Sequence, residues 1–404
     1  MANNHYREGC WWASPYNDYP SVVESIQMTP KVEIHDATLR DGEQTPGVVF
    51  SVDDKIRIAE KLDEIGIERI EAGMPAVSKD DYEAIKAICK RNLKAKIFTF
   101  ARALREDIDK AADCGAHGVV IEVPIGYPKL KYQFNWTWEN VLDKSVDCIN
   151  YARSQGLSTL YFPYDTTRAR EEDLENLITG IMKNSPPDSV GVVDTMGCAL
   201  PQSIQYLVRK MKTLTGGLPV EVHTHNDFGL GVATELAGVA AGADVIHSCV
   251  NGLGERTGNA ATEELMVALK ILFGTDNDYK LDKLLEICQM VEKISGVPLA
   301  ENKPIAGKRN YTRESGIGVD LVLKEPLAMF ATDPRYFGRE GDIVLGKKSG
   351  KTSVEYYLEK MNIKLPDEIV GQILEQVKEQ GTKKRGLLTM EEFKAIVESC
   401  QKKA

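Results

Sequence analysis

From about residue 31 the chain alternates between two hydrophobic rhythms. Short, nearly continuous apolar runs occur at VEIHDA (32–37), RIEAG (69–73), AKIFTF (95–100), GVVIEV (118–123), LSTLYF (157–162), SVGVVD (189–194), PVEVHTH (219–225) and DVIHSCV (244–250). Between them lie stretches such as DDKIRIAEKLDEIG (53–66), with apolar residues three and four apart. The first pattern predicts strands covered on both faces, the second amphipathic helices. Eight such strand–helix units fit a closed (β/α)8 barrel better than an open doubly wound sheet, which usually has fewer strands. The open sheet would also place GxGxxG after its first strand, where this chain has TLRDGEQTPG.

Past about residue 296 the rhythm breaks. NKPIAGKRNYTRESGIGVD (302–320) is polar and glycine-containing, and turn signals such as Asp333-Pro334 follow. LPDEIVGQILEQVKEQ and TMEEFKAIVES read as two helices, the second opened by Thr389 with Glu392 three residues on, a capping-box pattern. The expected organisation is an N-terminal arm (1–30), a barrel domain of the α/β class (31–295) and a mainly α-helical appendage (296–404).

Composition narrows the partners. A formal charge of −10 argues against a nucleic-acid polyanion, whose binding requires Lys/Arg neutralisation, but leaves room for a local basic pocket. MANNHYREGCWWASPYND lacks the apolar core of a signal peptide, and no run is long and apolar enough to span a bilayer. The eight cysteines include no CxxC pair, so reduced thiols in a cytoplasmic protein are expected.

Polar residues gather at the ends of the expected strands: Arg40 and Asp41 after the first, Glu71 in the second, Arg102 after the third. Asp165 follows the fifth, Asp194 and Thr195 end the sixth, His223 and His225 end the seventh, and Asn251 follows the eighth. In a barrel these positions open on one face, where the chemistry of the fold sits. The HTHNDFGLG stretch places two of the chain's six histidines two apart. On a strand, side chains at i and i+2 share a face, so two imidazoles can share a cation. Asp41 is the candidate third ligand, because the first and seventh strands are near neighbours in a closed barrel. Such a set leaves positions open on a divalent Lewis acid such as Zn, Mn, Fe, Co or Mg. The competing reading is a chance histidine pair on a surface loop.

Arg40 reads either as a surface ion pair or as a cation stabilising charge on a substrate oxygen. Glu71 reads as a structural partner for a base, as the orienter of Arg40, or as an acid/base. His35, His117 and His247 read as satisfied core or edge histidines, and the Trp11-Trp12 pair as packing of the arm on the barrel or a partner subunit. NGLGERTGNAATEEL (251–265) leads into a helix, where Thr257, Gly258 and Asn259 form either an anion-binding helix entry or a plain β–α turn.

The stretches HDATLRDGEQTPG (35–47), IEAGMPAVS (70–78), VHTHNDFGLGVA (222–233) and NGLGERTGNAATEEL resemble those of the DRE-type TIM-barrel metal enzymes. The branch they resemble holds the 2-isopropylmalate, homocitrate and citramalate synthases, related to 3-hydroxy-3-methylglutaryl-CoA lyase. The resemblance spans roughly residues 31–360; the helical tail is also synthase-like, and a long regulatory domain is expected to be absent. It implies metal ligands Asp41, His223 and His225 with Asn259 near the metal, and substrate contacts from Arg40, Gln44, Glu71 and Thr195. Arg40, Glu71 and Thr195 are the expected catalytic groups; Arg102 and Tyr164 join the expected substrate contacts. The implied reaction is condensation of an acyl-CoA, acetyl-CoA above all, with a 2-oxo acid and release of CoA, in a homodimer.

Three stretches depart from the family pattern. YFPYDTTR (161–168) carries Tyr164 where a substrate-facing Glu is expected. RESGIGVDL (313–321) carries Arg313 and Gly318 where the family has histidines. EVPIGYPKLKY (122–132) is unlike the usual end of the fourth strand. The metal-binding half is kept while the substrate-selecting and proton-transfer half is rewritten. The loop after the eighth strand lacks the cysteine of the lyases, which favours condensation over cleavage.

Overall fold

The computed structural model describes residues 4–402. Eight parallel strands close into a barrel: β1 (Glu33–Asp36), β2 (Arg69–Glu71), β3 (Lys96–Ala101), β4 (Gly118–Pro124), β5 (Ser158–Tyr164), β6 (Ser189–Asp194), β7 (Val220–Thr224) and β8 (Val245–Ser248). Every strand expected from the apolar runs is present, within two residues or so of its expected ends. Strand β8 closes the barrel on β1, with Val245 opposite Glu33 and Ser248 opposite Asp36.

The connecting helices are α1 (Val52–Ile65), α2 (Lys79–Cys89), α3 (Arg105–Cys114), α4 (Trp138–Ser154), α5 (Glu171–Asn184), α6 (Pro201–Leu214), α7 (Gly231–Ala240) and α8 (Thr262–Ala268). Their boundaries have local causes. Ser51 and Asp54 form a reciprocal capping box at the start of α1, which satisfies two otherwise orphaned N–H groups. Gly66 ends the helix at φ 99°, where a Cβ would stand 2.8 Å from the Asp278 carbonyl, so the turn requires glycine.

The barrel interior has two halves. Strands β3 to β6 fill theirs with Phe98, Phe100, Val120, Leu160, Phe162 and Val193. Strands β1, β2, β7 and β8 fill theirs with buried polar and charged groups: His35, Glu71, Glu221, His223 and His247. At the base of this second half Arg69 bridges Glu33 (2.7 Å) and Glu221 (2.9 Å). Glu221 also accepts from Ser189 and faces His247 Nε2 at 2.9 Å. Buried charge of this density is tolerated only when paired, and the pairing supplies the lower layer of the barrel.

Asn4 and residues 16–299 form one compact unit; residues 5–15 and 300–402 form a second. Within the second unit Trp11 is buried against Tyr336, with ring centroids 5.5 Å apart, and the Trp12 N–H donates to the Ala331 carbonyl. The second unit is built on α9 (Lys351–Lys360), α10 (Asp367–Lys384) and α11 (Met390–Gln401), around Val354, Ile373, Val377, Phe393 and Val397. Thr389 and Glu392 form the capping box expected at the start of α11. Arg313 donates to the Ile317 carbonyl. Gly318 sits at φ 84° with Met329 against the position a Cβ would take, so this backbone favours glycine over any larger residue. Among the described residues no helix is long and apolar enough to cross a membrane.

Candidate metal centre and its surroundings

Strand β7 ends in His223-Thr224, His225 follows directly, and both imidazoles stand at the barrel mouth. Asp41, in the turn after β1, meets them: its Oδ2 lies 3.3 Å from His223 Nε2 and 3.5 Å from His225 Nε2. All three residues are buried. Burial lowers the pKa of both imidazoles, that of His225 to about 4, so both are neutral at pH 7. Burial acts to raise Asp41, but the Arg40 guanidinium and the two imidazoles together hold it far below the usual carboxylate range. An ionised carboxylate thus faces two neutral ring nitrogens, a donor set of the kind that suits a divalent cation.

The orphaned atoms around it support the same conclusion. Asp41 Oδ1 and Asn259 Oδ1 are buried without a hydrogen-bond partner, which is costly unless something else satisfies them. Asn259 pairs with His225 across an antiparallel bridge and fixes its amide by donating from Nδ2 to the Leu253 carbonyl at 3.1 Å. Two imidazoles, a carboxylate and an amide oxygen fit a divalent cation.

The loop that carries Asn259 is a folded β–α turn. The N–H groups of Gly258, Asn259 and Thr262 all bond within it, to Glu255, to Gly252 and Leu253, and to Cys249, so the helix entry does not offer them to an anion. Gly258 sits at φ 80°, and a Cβ there would lie 1.9 Å from the Gly252 carbonyl oxygen. The glycine makes the close turn that aims Asn259.

Arg40 lies beside the candidate ligands. Its Nε and Nη2 donate to the two oxygens of Glu71 at 2.8 and 3.3 Å, its Nη1 lies 3.4 Å from Asp41, and its guanidinium covers the Phe100 ring. Burial would raise Glu71, but Arg40 and His35 outweigh it and lower Glu71 to about 2. Glu71 is therefore a fixed anion that orients Arg40, not a proton donor at neutral pH. Thr195 is buried at the end of β6; its hydroxyl accepts from the Asp165 N–H at 2.9 Å and its carbonyl from Arg256 at 2.6 Å. It braces the loops of β5, β6 and β8. Gln44 lies exposed in the turn after Asp41.

Arg102 does not join this cluster. It is exposed and forks Asp107 at the start of α3 through two 3.0 Å hydrogen bonds, an ion pair that the spacing of five residues could have suggested. Asp165 and Asp194 are likewise committed, the first to Arg168, the second to Thr167 and the Ala199 N–H. His117 is a satisfied edge histidine, accepting from the Ile97 N–H. His35 is not satisfied: neither ring nitrogen has a hydrogen-bond partner, although Nε2 lies 3.5 Å from Glu71. His35, Glu221 and His247 form a second buried donor group, and Arg69 already neutralises its carboxylate.

Two groups at the mouth escaped the sequence reading. Glu122 stands on β4, and Lys129, just past β4, places its ammonium 3.6 Å from the ring centre of Tyr164. Tyr164 is half-buried, and burial together with Glu122 pushes its phenol up to about 12, so it stays neutral. A lone Glu in the apolar run GVVIEV was the available signal.

Residues 31–291 match the HMGL-like family, and residues 305–385 match the homocitrate synthase post-HMGL domain-like family. Homocitrate synthase AksA of Methanocaldococcus jannaschii is 40% identical over 98% of this chain and 96% of its own length. The (R)-citramalate synthase CimA of the same organism is 41% identical over 87% of this chain and 71% of its own, and its 2-isopropylmalate synthase 38% over 93% and 73%. Among solved structures, hydroxymethylglutaryl-CoA lyase from Pseudomonas aeruginosa superposes with a TM-score of 0.61 at 20% identity, over 70% of this chain and 97% of that one; this likeness concerns the barrel fold alone. With its closed parallel barrel and its synthase relatives along nearly the whole length, the chain belongs to the HMGL-like family, in the company of the homocitrate, citramalate and isopropylmalate synthases.

Proposed function

We propose that this protein is an acyltransferase that condenses acetyl-CoA with a 2-oxo acid in a Claisen-type reaction and releases CoA. The observation that carries this reading is the buried Asp41–His223–His225 set with Arg40 forked onto Glu71 beside it. The relatives point the same way: three synthases of this reaction class align along most of the chain.

Asp41, His223, His225 and the Asn259 amide would hold a divalent cation, which supplies Lewis-acid polarisation of the oxo-acid carbonyl when bound. The chain's own contribution is charge and order. Arg40, its plane fixed by Glu71 and Phe100, offers donor N–H groups where negative charge builds on the carbonyl oxygen, and needs no reorientation as it builds. Tyr164 and Lys129 form a neutral ring and a cation at the rim, placed to sort the side chain of the oxo acid. Thr195 and Arg256 hold the strand-end loops together, so the mouth keeps its shape.

The test is free-thiol release from acetyl-CoA with Mn or Mg, across pyruvate, oxaloacetate, 2-oxoglutarate and 2-oxoisovalerate. Release that depends on one of these acids is expected. Silence across the panel with metal bound would refute condensation.

A further inference from the structure

The carboxylates around the barrel mouth are almost all occupied. Asp41 faces the imidazoles, Glu71 holds Arg40, Asp165 holds Arg168, and Asp194 holds the turn after β6. Glu122 is different: it has no hydrogen bond and no ion pair among the described residues, and neighbouring charges act on it only through space. Its position is set by the strand. Val120 belongs to the inner apolar layer, and two residues further along β4 the side chain points the same way, one layer nearer the mouth. Its register partner on β5 is Phe162, which packs against His223 and His247. The next inward residue of β5 is Tyr164, where the family pattern has a carboxylate.

We infer that Glu122 is the general base of the condensation, supplying from β4 the inward carboxylate that Tyr164 removes from β5. This rests on the Claisen reading above. The Glu122 carboxylate takes a proton from the methyl group of acetyl-CoA, and the C–H electron pair passes into the thioester enolate. The enolate carbon bonds to C2 of the oxo acid, and the carbonyl π pair moves onto oxygen beside Arg40. Glu122 returns its proton to that oxygen. Water then cleaves the thioester C–S bond, and CoA leaves as the thiol.

The surroundings suit this role. Burial pushes Glu122 up to about 7, while Arg40 and Lys129 pull it down and Asp41 and Glu71 push it further up. A base poised near the operating pH combines a usable ionised fraction with adequate basicity. Tyr164, a further titratable group beside it, is neutral across this range. Lys129 is held on the Tyr164 ring instead of on a carboxylate, so it tempers Glu122 without capping it.

The experiment measures two rates for the wild type, Glu122→Gln and Glu122→Asp with bound Mn. One is thiol release with the oxo acid that supports wild-type turnover. The other is deuterium exchange into the acetyl-CoA methyl group in D2O, with the matching 2-hydroxy acid in place of the oxo acid. Glu122→Gln is expected to lower both about 10²–10⁴-fold and to remove the acidic limb of the kcat/KM profile, with metal content unchanged. Glu122→Asp is expected to keep part of the exchange with a displaced limb. Turnover by Glu122→Gln near the wild-type rate, with the same limb, overturns the assignment while leaving the Claisen reading intact. If Glu122→Gln fails to fold, an unmoved limb in Glu122→Asp overturns it equally. A wild type that releases no thiol with any oxo acid removes the Claisen reading, and this inference with it.

Discussion

Arg40 spans two carboxylates with one guanidinium: Nε and Nη2 fork onto Glu71 at 2.8 and 3.3 Å, and Nη1 turns to Asp41 at 3.4 Å. The fork fixes the plane of the cation, which an ammonium cannot reproduce. Arg40→Lys is therefore expected to retain charge and bound metal but to lose about 10²–10³ in kcat, the loss typical of a displaced oxyanion donor. Steady-state kinetics beside metal analysis checks this. A kcat near wild type would take Arg40 out of the reaction.

The ligand set is tested by binding as well as by turnover. With metal at a hundredfold its Kd, a protein that binds only when folded gains about 2.7 kcal/mol. The wild type should show this as a rise in melting temperature on adding Mn or Zn. Asp41→Ala and His225→Ala should show no rise, carry little metal and lack activity. A full thermal response in either variant would place the cation elsewhere.

Gly258 offers a control on the loop beside the candidate metal site. Alanine there meets both a left-handed backbone, φ 80°, and the Gly252 carbonyl oxygen at 1.9 Å. Gly216 is also left-handed, φ 65°, but a Cβ there meets nothing within 4 Å. Gly216→Ala is expected to cost about 1 kcal/mol and to leave metal affinity alone. Gly258→Ala should cost more and weaken metal binding, since Asn259 must move. Equal effects in denaturant melts and metal titrations would show that the crowding at Gly258 is relieved elsewhere.

The barrel and the cluster of candidate ligands at its mouth were legible because both follow local period. Apolar runs alternating with helical stretches mark the eight strands, and the i, i+2 spacing of His223 and His225 puts two donors on one face. Asp41 followed once β1 and β7 were known to lie close together. What was not legible depends on long-range pairing. Arg102 looked like a site residue by its place after β3, but Asp107 takes its charge. Glu122 looked like part of a strand until the direction of Val120 fixed its own. His35 looked like a satisfied core residue, yet both its ring nitrogens lack hydrogen-bond partners. The attachment of residues 5–15 to the later unit has no periodic signature; it rests on Trp11 finding Tyr336.

Arg69 and Glu221 give the clearest case of such long-range pairing, and its energy has a sign in pH. Glu221 is fully buried. Burial would raise its pKa, but the His247 hydrogen bond and the Arg69 charge outweigh it and lower it from 4.5 to about 2. A carboxyl lowered by folding stabilises the protein above its unfolded pKa, and the contribution is lost as pH falls through the folded value. The gap corresponds to something on the order of 3 kcal/mol, present at pH 7 and eroding between about pH 4.5 and 2. Arg69→Met leaves the carboxylate buried without its cation, so it should cost about 3–5 kcal/mol at pH 7 and much less near pH 3, where Glu221 in the variant is already protonated. Adding Glu221→Gln should restore much of the loss at pH 7. Urea melts at pH 7, 4.5 and 3 measure all three quantities. An Arg69→Met penalty that is the same at every pH would mean that the arginine acts through packing under Phe98, whose ring centre lies 5.6 Å from its guanidinium, and that the buried ion pair is not what holds the base of the barrel.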